Sequence, residues 1–370
     1  MKDLRNSGKG NASSVLLFFF CAIGLLNVQQ LAFQPITTPE LKVQPQKQQE
    51  KLLKEVELLR ESISSLKLLL EERGGKPTPP AAAAMADTDR QQRSARVCGN
   101  HKEDSAWGAL CARGFIDEMD RIVAKQRIAR IVQIGAHVGF ESNDPLARGM
   151  MRYLDLLTEP ERKLVQWTFV EPSPANYEQL QTTIAAHAAI ADLRSKNVAV
   201  VSDNLPANET QGMTFYSISE DIDPVSGYDK RSGKQFPYWI TQISSFSMDH
   251  IKGAGRLWKK MGLKVEDYVV HTNVTTMRYS DLLQEVLQGD DPAESLALVL
   301  IDTEGFDCHI VNGISAESIY VPGFLLYEHK SCKRDDKQLT LSHLARMGFA
   351  ARSVGDENTL AWKLHGSTVD

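Results

Sequence analysis

The sequence predicts an α/β protein with a mostly parallel sheet, preceded by a membrane-anchor helix and a coiled-coil-like stem. Three observations predict this architecture. From Arg130 onward, short apolar runs alternate with helical stretches. Polar residues are concentrated where the apolar runs end. The first hundred residues contain instead an uncharged apolar block, a heptad pattern and a Pro- and Ala-rich stretch.

The overall composition excludes several classes of protein. Of 370 residues, 42% are hydrophobic and 24% are charged, which is ordinary for a globular protein and excludes general disorder. The net charge of −5 gives no general attraction to phosphate backbones, so we expect no nucleic-acid partner. Only one long apolar run exists, which excludes a protein with several membrane spans.

The apolar block lies at residues 15–28, and Lys2, Arg5 and Lys9 precede it. The positive-inside rule therefore predicts a cytosolic tail and signal anchor at 1–33. This makes a single-pass type II membrane protein whose remainder lies in the Golgi or another secretory lumen. Two alternatives remain open. A cleaved signal peptide would give a secreted form, and Leu31-Ala32-Phe33-Gln34-Pro35 resembles the cleavage site of algal plastid presequences.

A helical stem is predicted at 34–73, where apolar residues follow a heptad spacing. These residues are Leu52, Val56, Leu59, Ile63, Leu66 and Leu70. Such a pattern favours a parallel two-stranded coil, so residues 52–70 could form a homodimer; a single amphipathic helix is the alternative. The Pro/Ala-rich stretch 74–97 is predicted to be a linker, and 98–370 the globular domain.

Four cysteines follow the anchor, at positions 98, 111, 308 and 332. An even number permits two disulfides in any of three pairings, and Cys98 with Cys111 is the pair most easily closed by local chain. Two glycosylation sequons begin at Asn208 and Asn273.

The domain from Cys98 is predicted to contain five strands of a mostly parallel sheet and a closing hairpin. The strands are predicted at 128–134, 165–170, 197–201, 296–301 and 323–327, and the hairpin at 350–354 and 359–364. Helices are predicted to begin at Asp144-Pro145 and to run over 341–347.

Polar residues that end these strands predict one binding site. The first strand ends in a turn flanked by Gly135 and Gly139, the second in Glu171, and the fourth in Asp302 and Glu304. Ligands of open α/β sheets bind at the carboxyl ends of strands, and a carboxylate there can hold a ribose. Each residue also has a structural alternative: a tight turn, a helix-capping acid, or an Asp bonded to its own turn.

Proton transfer in this site requires a base, and four residues are candidates. Asp302 and Glu304 could deprotonate or orient an acceptor hydroxyl. Glu328 and His329 follow the fifth strand, and histidine titrates near neutral pH. A single histidine is nevertheless more often structural.

Four separated motifs now resemble those of a known family. IVQIGAHVG, FVEPSPANYEQL, LVLIDTEGFDCHIVNGI and PGFLLYEHK occur in this order between Ile128 and Phe349. Together they resemble the FkbM-type methyltransferases. The resemblance implies the seven-stranded class I methyltransferase (Rossmann-like) sheet, S-adenosylmethionine as cofactor, and methyl transfer to oxygen. It places Gly135, Ala136 and Gly139 in the cofactor loop, Glu171 on the ribose, and Asp302 and Glu304 where donor and acceptor meet.

The sequence departs from that family at two cofactor positions. Gln133 stands where the family commonly has an acid, and His137 where it has Asn. Gln133 can form a hydrogen bond but offers no charge to the cofactor's ammonium group. Asp203 is a candidate adenine contact, although its Ser-Asp-Asn setting also fits an Asx turn.

A long insertion at about 204–290 separates the third and fourth strands. It contains three polar or aromatic segments, 228–231, 236–239 and 244–246. Aromatic faces stack on sugars and cations bind carboxylates or sulfates, so we expect the insertion to form the acceptor site. An aromatic mini-core under a long loop is the alternative.

The sequence therefore predicts a membrane-anchored O-methyltransferase acting on a hydroxyl of a glycan, glycoconjugate or small molecule. No cluster with metal-ligand spacing is evident, and no metal is expected. A type II glycosyltransferase shares this domain layout, and Asp221-Ile222-Asp223 could hold a metal on a sugar nucleotide. An NAD-dependent enzyme is another alternative, but the sequence lacks the G-x-G-x-x-G motif of dinucleotide-binding proteins. A non-catalytic binding module of methyltransferase descent is the remaining alternative.

Overall fold

The computed structural model describes residues 90–99, 101–140, 145–206, 212–223 and 225–364. The predicted anchor and stem, the sequon at Asn208 and the helix start at Asp144 lie outside these residues. Within the described part, no helix is both long and apolar enough to cross a membrane.

Helices and strands alternate along the described chain. The helices are α1 (90–98), α2 (Ala106–Ala112), α3 (Phe115–Ala124), α4 (Pro145–Leu156), α5 (Glu159–Arg162), α6 (Pro174–His187), α7 (Met248–Gly253), α8 (Gly255–Met261), α9 (Tyr279–Leu287), α10 (Pro292–Ser295), α11 (Asp307–Gly313) and α12 (Arg334–Arg346). The strands are β1 (Ala129–Ile134), β2 (Val165–Val170), β3 (Asp192–Lys196), β4 (Ala199–Val201), β5 (Met213–Ile218), β6 (Val269–Val274), β7 (Thr276–Arg278), β8 (Leu296–Ile301), β9 (Phe324–Glu328), β10 (Phe349–Val354) and β11 (Asn358–Lys363). Short 3₁₀ turns span Tyr238–Thr241 and Val265–Asp267.

Seven strands form the central sheet in the order β10-β11-β9-β8-β1-β2-β3. Strands β1, β2, β3, β8 and β9 are parallel, and β11 is antiparallel to both of its neighbours. The predicted mostly parallel, Rossmann-like sheet of seven strands is confirmed. The chain runs from β1 outward to β3 and later resumes at β8 on the other side of β1. The order therefore reverses between β1 and β8, where ligands of such sheets bind.

Two apolar cores cover the two faces of this sheet. In β1, Ile131 faces a core that includes Trp107 and Phe115, whereas Val132 faces a core that includes Tyr279. Adjacent residues of a strand point to opposite faces, so a strand buried on both sides needs a continuous apolar run. This explains why β1, β2 and β8 are visible in the sequence as apolar runs.

The predicted third strand of the central sheet is wrong. Residues 199–201 form β4, which pairs with β7 in a separate two-stranded sheet. The third position in the central sheet belongs to β3, Asp192–Lys196, which pairs with β2. β3 is an edge strand, and all five residues are at least partly exposed, so its sequence DLRSK shows no apolar pattern. The predicted helix at 341–347 also begins earlier, at Arg334.

The insertion contains its own small core. Phe236, Trp258 and Tyr268 pack against each other with ring centroids 5.0–6.1 Å apart, and isoleucines 218, 222, 240 and 251 surround them. The antiparallel pair β5 and β6 adjoins this core. Burial of the aromatic residues therefore provides the apolar surface that holds the insertion together.

Two disulfides join Cys98 to Cys111 and Cys308 to Cys332. The predicted local pair is thus present. Helix α1 packs on the body through buried Val97, and Arg93 donates a hydrogen bond to the buried Asp120 (2.9 Å). Residues 90–97, at the end of the predicted linker, are consequently helical and belong to the packed body.

Candidate active site

A cavity of about 340 Å³ lies where β1, β2 and β8 end. This volume falls in the usual range of small-molecule sites, about 300–1,000 Å³. Most of the residues predicted for the site line it together. They are Gln133, Gly135, Ala136, His137, Gly139, Glu171, Asp302 and Glu304.

Two turns cross closely at the base of the cavity. The amide of Asp302 donates to the carbonyl of Ile134 (2.9 Å), and Gly135 has a left-handed φ of 81°. A Cβ added at Gly135 would lie 1.6 Å from the carbonyl oxygen of Asp302. Only glycine permits this crossing. Gly135 therefore sets the distance between the first turn and the Asp302–Gly305 turn.

Glu171 holds the loop that follows β1. Its Oε2 accepts a hydrogen bond from the amide of His137 (2.8 Å), and its Oε1 accepts one from the amide of Ser173 (2.9 Å). The residue is 4% exposed, and burial raises the pKa of its carboxyl. An ionised carboxylate has about four acceptor positions, so Oε2 retains capacity for one ligand hydroxyl.

Gln133 presents an unsatisfied acceptor at the cavity. It lies on β1 and is 8% exposed, and its Oε1 is buried without a hydrogen-bond partner among the described residues. An unpaired buried carbonyl costs about 1–3 kcal/mol. A donor on a bound ligand would remove this cost.

The turn after β8 is fixed by an acid from the following helix. Asp307 accepts hydrogen bonds from the amides of Thr303 (3.1 Å) and Gly305 (3.2 Å) and from the Thr303 hydroxyl (3.1 Å). Burial raises the pKa of Asp307 to about 6. Between these two amides, Glu304 adopts a left-handed φ of 53°, which is uncommon for a residue with a side chain. The Asp307 contacts hold this conformation in place.

Glu304 is paired with a histidine that the sequence motifs do not indicate. The Nε2 of His250 lies 2.9 Å from Glu304 Oε2, and the two side chains are 20% and 24% exposed. The hydrogen bond to Glu304 raises the pKa of His250, and the charges of Glu328 and Asp307 act in the same direction. His250 lies on α7 inside the insertion, 54 residues before its partner. No strand end or local motif marks it.

Three of the predicted site residues do not line the cavity. Asp203 accepts hydrogen bonds from the amide (2.9 Å) and hydroxyl (3.0 Å) of Ser280, so its carboxylate serves the start of α9. The Nδ1 of His329 lies 2.8 Å from Thr359 Oγ1, and burial lowers the pKa of His329. Burial, reinforced by Glu304 and Asp307, raises the pKa of Glu328 to about 7.

The insertion contributes one wall of the cavity, and of its three predicted segments 244–246 takes part. Phe215, Gln242, Ser244 and Phe246 line it, whereas residues 228–231, Phe236, Pro237 and Trp239 do not. Phe236 lies in the small core of the insertion. Arg231, expected to bind an acidic acceptor, instead pairs with Asp221 and lies over the ring of Tyr268. The aromatic mini-core is therefore present at Phe236, and that the insertion binds the acceptor stays a prediction.

The charged lining of the cavity is almost entirely acidic. Glu171, Asp302, Glu304 and Glu357 line it, and no lysine or arginine of the described residues does. The imidazole-bearing residue His137 also lines the cavity. Negative potential in a partly enclosed cleft attracts cations and disfavours phosphates.

The acidic tripeptide of the glycosyltransferase alternative is used structurally. Asp221 accepts a hydrogen bond from the Ser219 hydroxyl (2.6 Å), and Asp223 accepts one from the amide of Ser226 (2.6 Å). Neither acid lines the cavity. Among the residues that the structure describes, no group of His, Cys, Asp or Glu could hold a metal ion.

No protein-family model matches the sequence, and no curated protein matches it significantly. Similar solved structures include a methyltransferase from Geobacter sulfurreducens (9% identity, TM-score 0.29, 81% of this chain and 97% of that chain). They also include precorrin-6y C5,15-methyltransferase from Geobacter metallireducens (9%, 0.28, 66% and 87%). A third is described as a caffeoyl-CoA O-methyltransferase from Staphylococcus aureus (9%, 0.25, 70% and 93%).

Proposed function

We propose that the protein is an S-adenosylmethionine-dependent O-methyltransferase of the FkbM type that methylates a hydroxyl of a glycan or glycoconjugate. The observation that carries the proposal is the cavity at the strand-order reversal, which carboxylates line and which no lysine or arginine in the described part of the chain lines. S-adenosylmethionine carries a ribose, an ammonium group and a cationic sulfonium. The cavity lining contains carboxylates and Gln133, which can accept hydrogen bonds from the ribose and the ammonium group, and the carboxylates can attract the sulfonium.

The acidic lining favours a cationic cofactor over the phosphorylated ones. NAD and sugar nucleotides would bring two phosphate charges into a cavity lined by Glu171, Asp302 and Glu304. Two like charges about 6 Å apart repel by about 3 kcal/mol at an effective dielectric constant of about 20. The sulfonium would gain from the same carboxylates. This contrast supports the methyltransferase over the NAD-dependent and glycosyltransferase alternatives.

The residues around the cavity fit S-adenosylmethionine. Gln133 Oε1, buried and unsatisfied, could accept a hydrogen bond from the ammonium group. Glu171 Oε2 could accept one from a ribose hydroxyl while still holding the His137 amide. Gly135 and Gly139 keep the loop free of Cβ atoms where the cofactor would approach it. When bound, the group supplies a methyl activated by its attachment to a positive sulfur.

The acceptor and the cellular site are also proposed. Phe215 and Phe246 offer apolar faces to a sugar ring, and Gln242 and Ser244 offer hydrogen-bonding groups. The apolar block and its preceding basic residues support anchoring through one N-terminal helix, with the body in a Golgi or other secretory lumen. The heptad at 52–70 supports a homodimer on that membrane.

Calorimetry tests the cofactor. The full-length chain, purified in mild detergent, is titrated with S-adenosylmethionine, NAD and UDP-glucose. Only S-adenosylmethionine should bind, and Glu171→Gln should weaken it about tenfold, or about 1.4 kcal/mol, because a ribose acceptor is lost.

Glu178→Gln, at an exposed position on α6, is the matched control and should bind as the unaltered protein does. Thermal unfolding of both variants separates lost binding from lost folding. Binding of UDP-glucose or NAD in place of S-adenosylmethionine would refute the proposal. Binding without any methyl transfer would favour the non-catalytic module.

A further inference from the structure

We propose that Glu304 accepts the proton of the acceptor hydroxyl and that His250 is the residue that positions it. This inference rests on the proposed methyltransferase function. It selects one base among the four candidates in the sequence, and it adds a residue from the insertion to the site.

Glu304 is held from three directions. Its backbone lies between the amides that Asp307 binds, and its carbonyl oxygen accepts a hydrogen bond from the Ser245 hydroxyl (2.9 Å). Its Oε2 is bonded to His250 (2.9 Å). Its Oε1 has no hydrogen-bond partner among the described residues, while the residue lines the cavity. A carboxylate with one oxygen fixed and the other available is preorganised to receive a proton.

The other candidates are less suitable. His329 is bonded to Thr359 and does not line the cavity, and Glu328 does not line it either. Asp302 lines the cavity but is exposed, so water competes for its carboxylate. Glu304 is 24% exposed and is also bonded to an imidazole. Position, burial and orientation therefore favour Glu304.

An ordinary carboxylate is sufficient for this reaction. An alcohol is too weak an acid to ionise first, but its proton becomes strongly acidic once the oxygen begins to bond to carbon. The acceptor oxygen forms a bond to the methyl carbon, and the methyl–sulfur bond breaks with its electron pair left on sulfur. The hydroxyl proton passes to Glu304 and then to solvent. A proton acceptor of this kind typically contributes 10²–10⁴-fold to the rate.

His250 acts through Glu304. Its Nε2 donor occupies Oε2 and so fixes the rotation of the carboxyl group about its last bond. The acids that face His250 are Glu304, Glu328 and Asp307, which together favour its protonated form. Glutamine at position 250 could supply a neutral N–H donor to Glu304 without this titration. The variant His250→Gln therefore tests whether His250 positions Glu304 through this hydrogen bond or only packs against it.

Four variants of the full-length chain test the inference: Glu304→Gln, His250→Ala, His250→Gln, and His271→Gln as a control at an exposed histidine of the same insertion. Binding of S-adenosylmethionine is measured by calorimetry. Methyl transfer from methyl-deuterated S-adenosylmethionine to a mixture of neutral methyl glycosides is measured by mass spectrometry from pH 5.5 to 9.

Glu304→Gln should lower kcat about 100-fold or more and His250→Ala about tenfold, with cofactor affinity within about threefold of the unaltered protein. His250→Gln should restore most of the kcat that His250→Ala loses. It should also abolish the part of the pH dependence of kcat that comes from titration of the imidazole. Unchanged kcat in Glu304→Gln, or no rescue by His250→Gln, would overturn the inference.

A second measurement does not depend on the acceptor. Histidine-labelled protein is titrated by NMR, and Glu304→Gln should lower the pKa of His250 because the partner charge is removed. An unchanged pKa would show that the pair does not form, and the inference would fail even if methyl transfer were found. Absence of cofactor binding in the unaltered protein would instead reject the proposed function. If S-adenosylmethionine binds but no glycoside is methylated, the proposed acceptor class is contradicted. The NMR titration would then show whether Glu304 and His250 form a pair.

Discussion

The carboxylates of the site differ in what surrounds each of them. Glu171 accepts hydrogen bonds from two backbone amides, Asp307 from the amides of its own turn, and Glu304 from an imidazole. Glu328 Oε2 is instead buried without a hydrogen-bond partner among the described residues. Environment, more than residue type, therefore decides which acid is charged and which retains a proton.

The raised pKa of Glu328 predicts a pH-dependent stability cost. Its pKa is about 7 in the folded protein, against 4.5 for an ordinary glutamate. Between these values the unfolded chain loses the proton while the folded protein keeps it, so stability falls as pH rises through this window and the loss is complete above about pH 7. This difference between the folded and unfolded pKa corresponds to about 3 kcal/mol, or about 2 kcal/mol after allowance for partial exposure.

Glu328→Gln should therefore stabilise the protein by about 2 kcal/mol at pH 8 and change it little at pH 4.5. Urea unfolding of the full-length chain, followed by tryptophan fluorescence, measures this, because all five tryptophans lie between residues 107 and 362. Glu178→Gln is the exposed control. A stability difference independent of pH would be inconsistent with a buried proton at Glu328.

The site forms because two turns from neighbouring strands meet at van der Waals contact. β1 and β8 are paired in parallel, so their carboxyl ends lie at the same edge of the sheet. The turn after β1 carries Gly135, and the turn after β8 carries Asp302 and Glu304. A change in the spacing of these turns would displace the proposed cofactor site and the proposed base together.

A comparison of Gly135→Ala with Gly348→Ala should separate the stability cost of a close contact from that of backbone strain. Gly135 and Gly348 have nearly the same left-handed φ, 81° and 80°. A Cβ would lie 1.6 Å from the Asp302 carbonyl oxygen at Gly135 but meets nothing within 4 Å at Gly348. Gly348→Ala should cost about 1–2 kcal/mol from strain alone. Gly135→Ala should cost clearly more, because the Asp302 turn must also move. Urea unfolding compares the two, and equal costs would exclude the contact as a determinant.

The edge strand shows where sequence patterns lose information. β1, β2 and β8 lie inside the sheet, are covered on both faces, and were predicted to within one residue from their apolar runs. β3 lies at the edge and its residues are partly exposed. The segment at 197–201 is more apolar and therefore looks more like a strand of the central sheet, although its burial comes from pairing β4 with β7.

At the scale of the whole molecule, the sequence indicates only one of the two residues Glu304 and His250. Glu304 follows a strand directly, so topology places it at the ligand edge. His250 reaches the same point only because the small core of the insertion folds α7 toward the β8 turn. Such a contact depends on the packing of a segment without repeat or motif. Asp203 shows the converse, since it follows a predicted strand yet accepts a hydrogen bond from the amide of Ser280.

The two disulfides bear on the compartment of the whole protein. Cys98–Cys111 and Cys308–Cys332 both lie in the body. Disulfides persist in secretory and extracellular compartments and are rare in the cytosol. They therefore support the proposed lumenal orientation independently of the N-terminal charges.

Glycosylation tests that orientation in the intact chain. Asn273 is exposed on β6, in the sequon Asn273-Val274-Thr275, and a second sequon begins at Asn208. Full-length protein translated with microsomes should carry glycans removable by an N-glycosidase, because only lumenal segments meet the glycosylation machinery. Asn273→Gln should remove one glycan-sized step in mobility, and Asn208→Gln should remove any second step. Asn312→Gln, outside any sequon, is the control. If the body carries no glycan and is digested by protease added to sealed vesicles, it lies on the cytosolic side, and the type II orientation would be rejected.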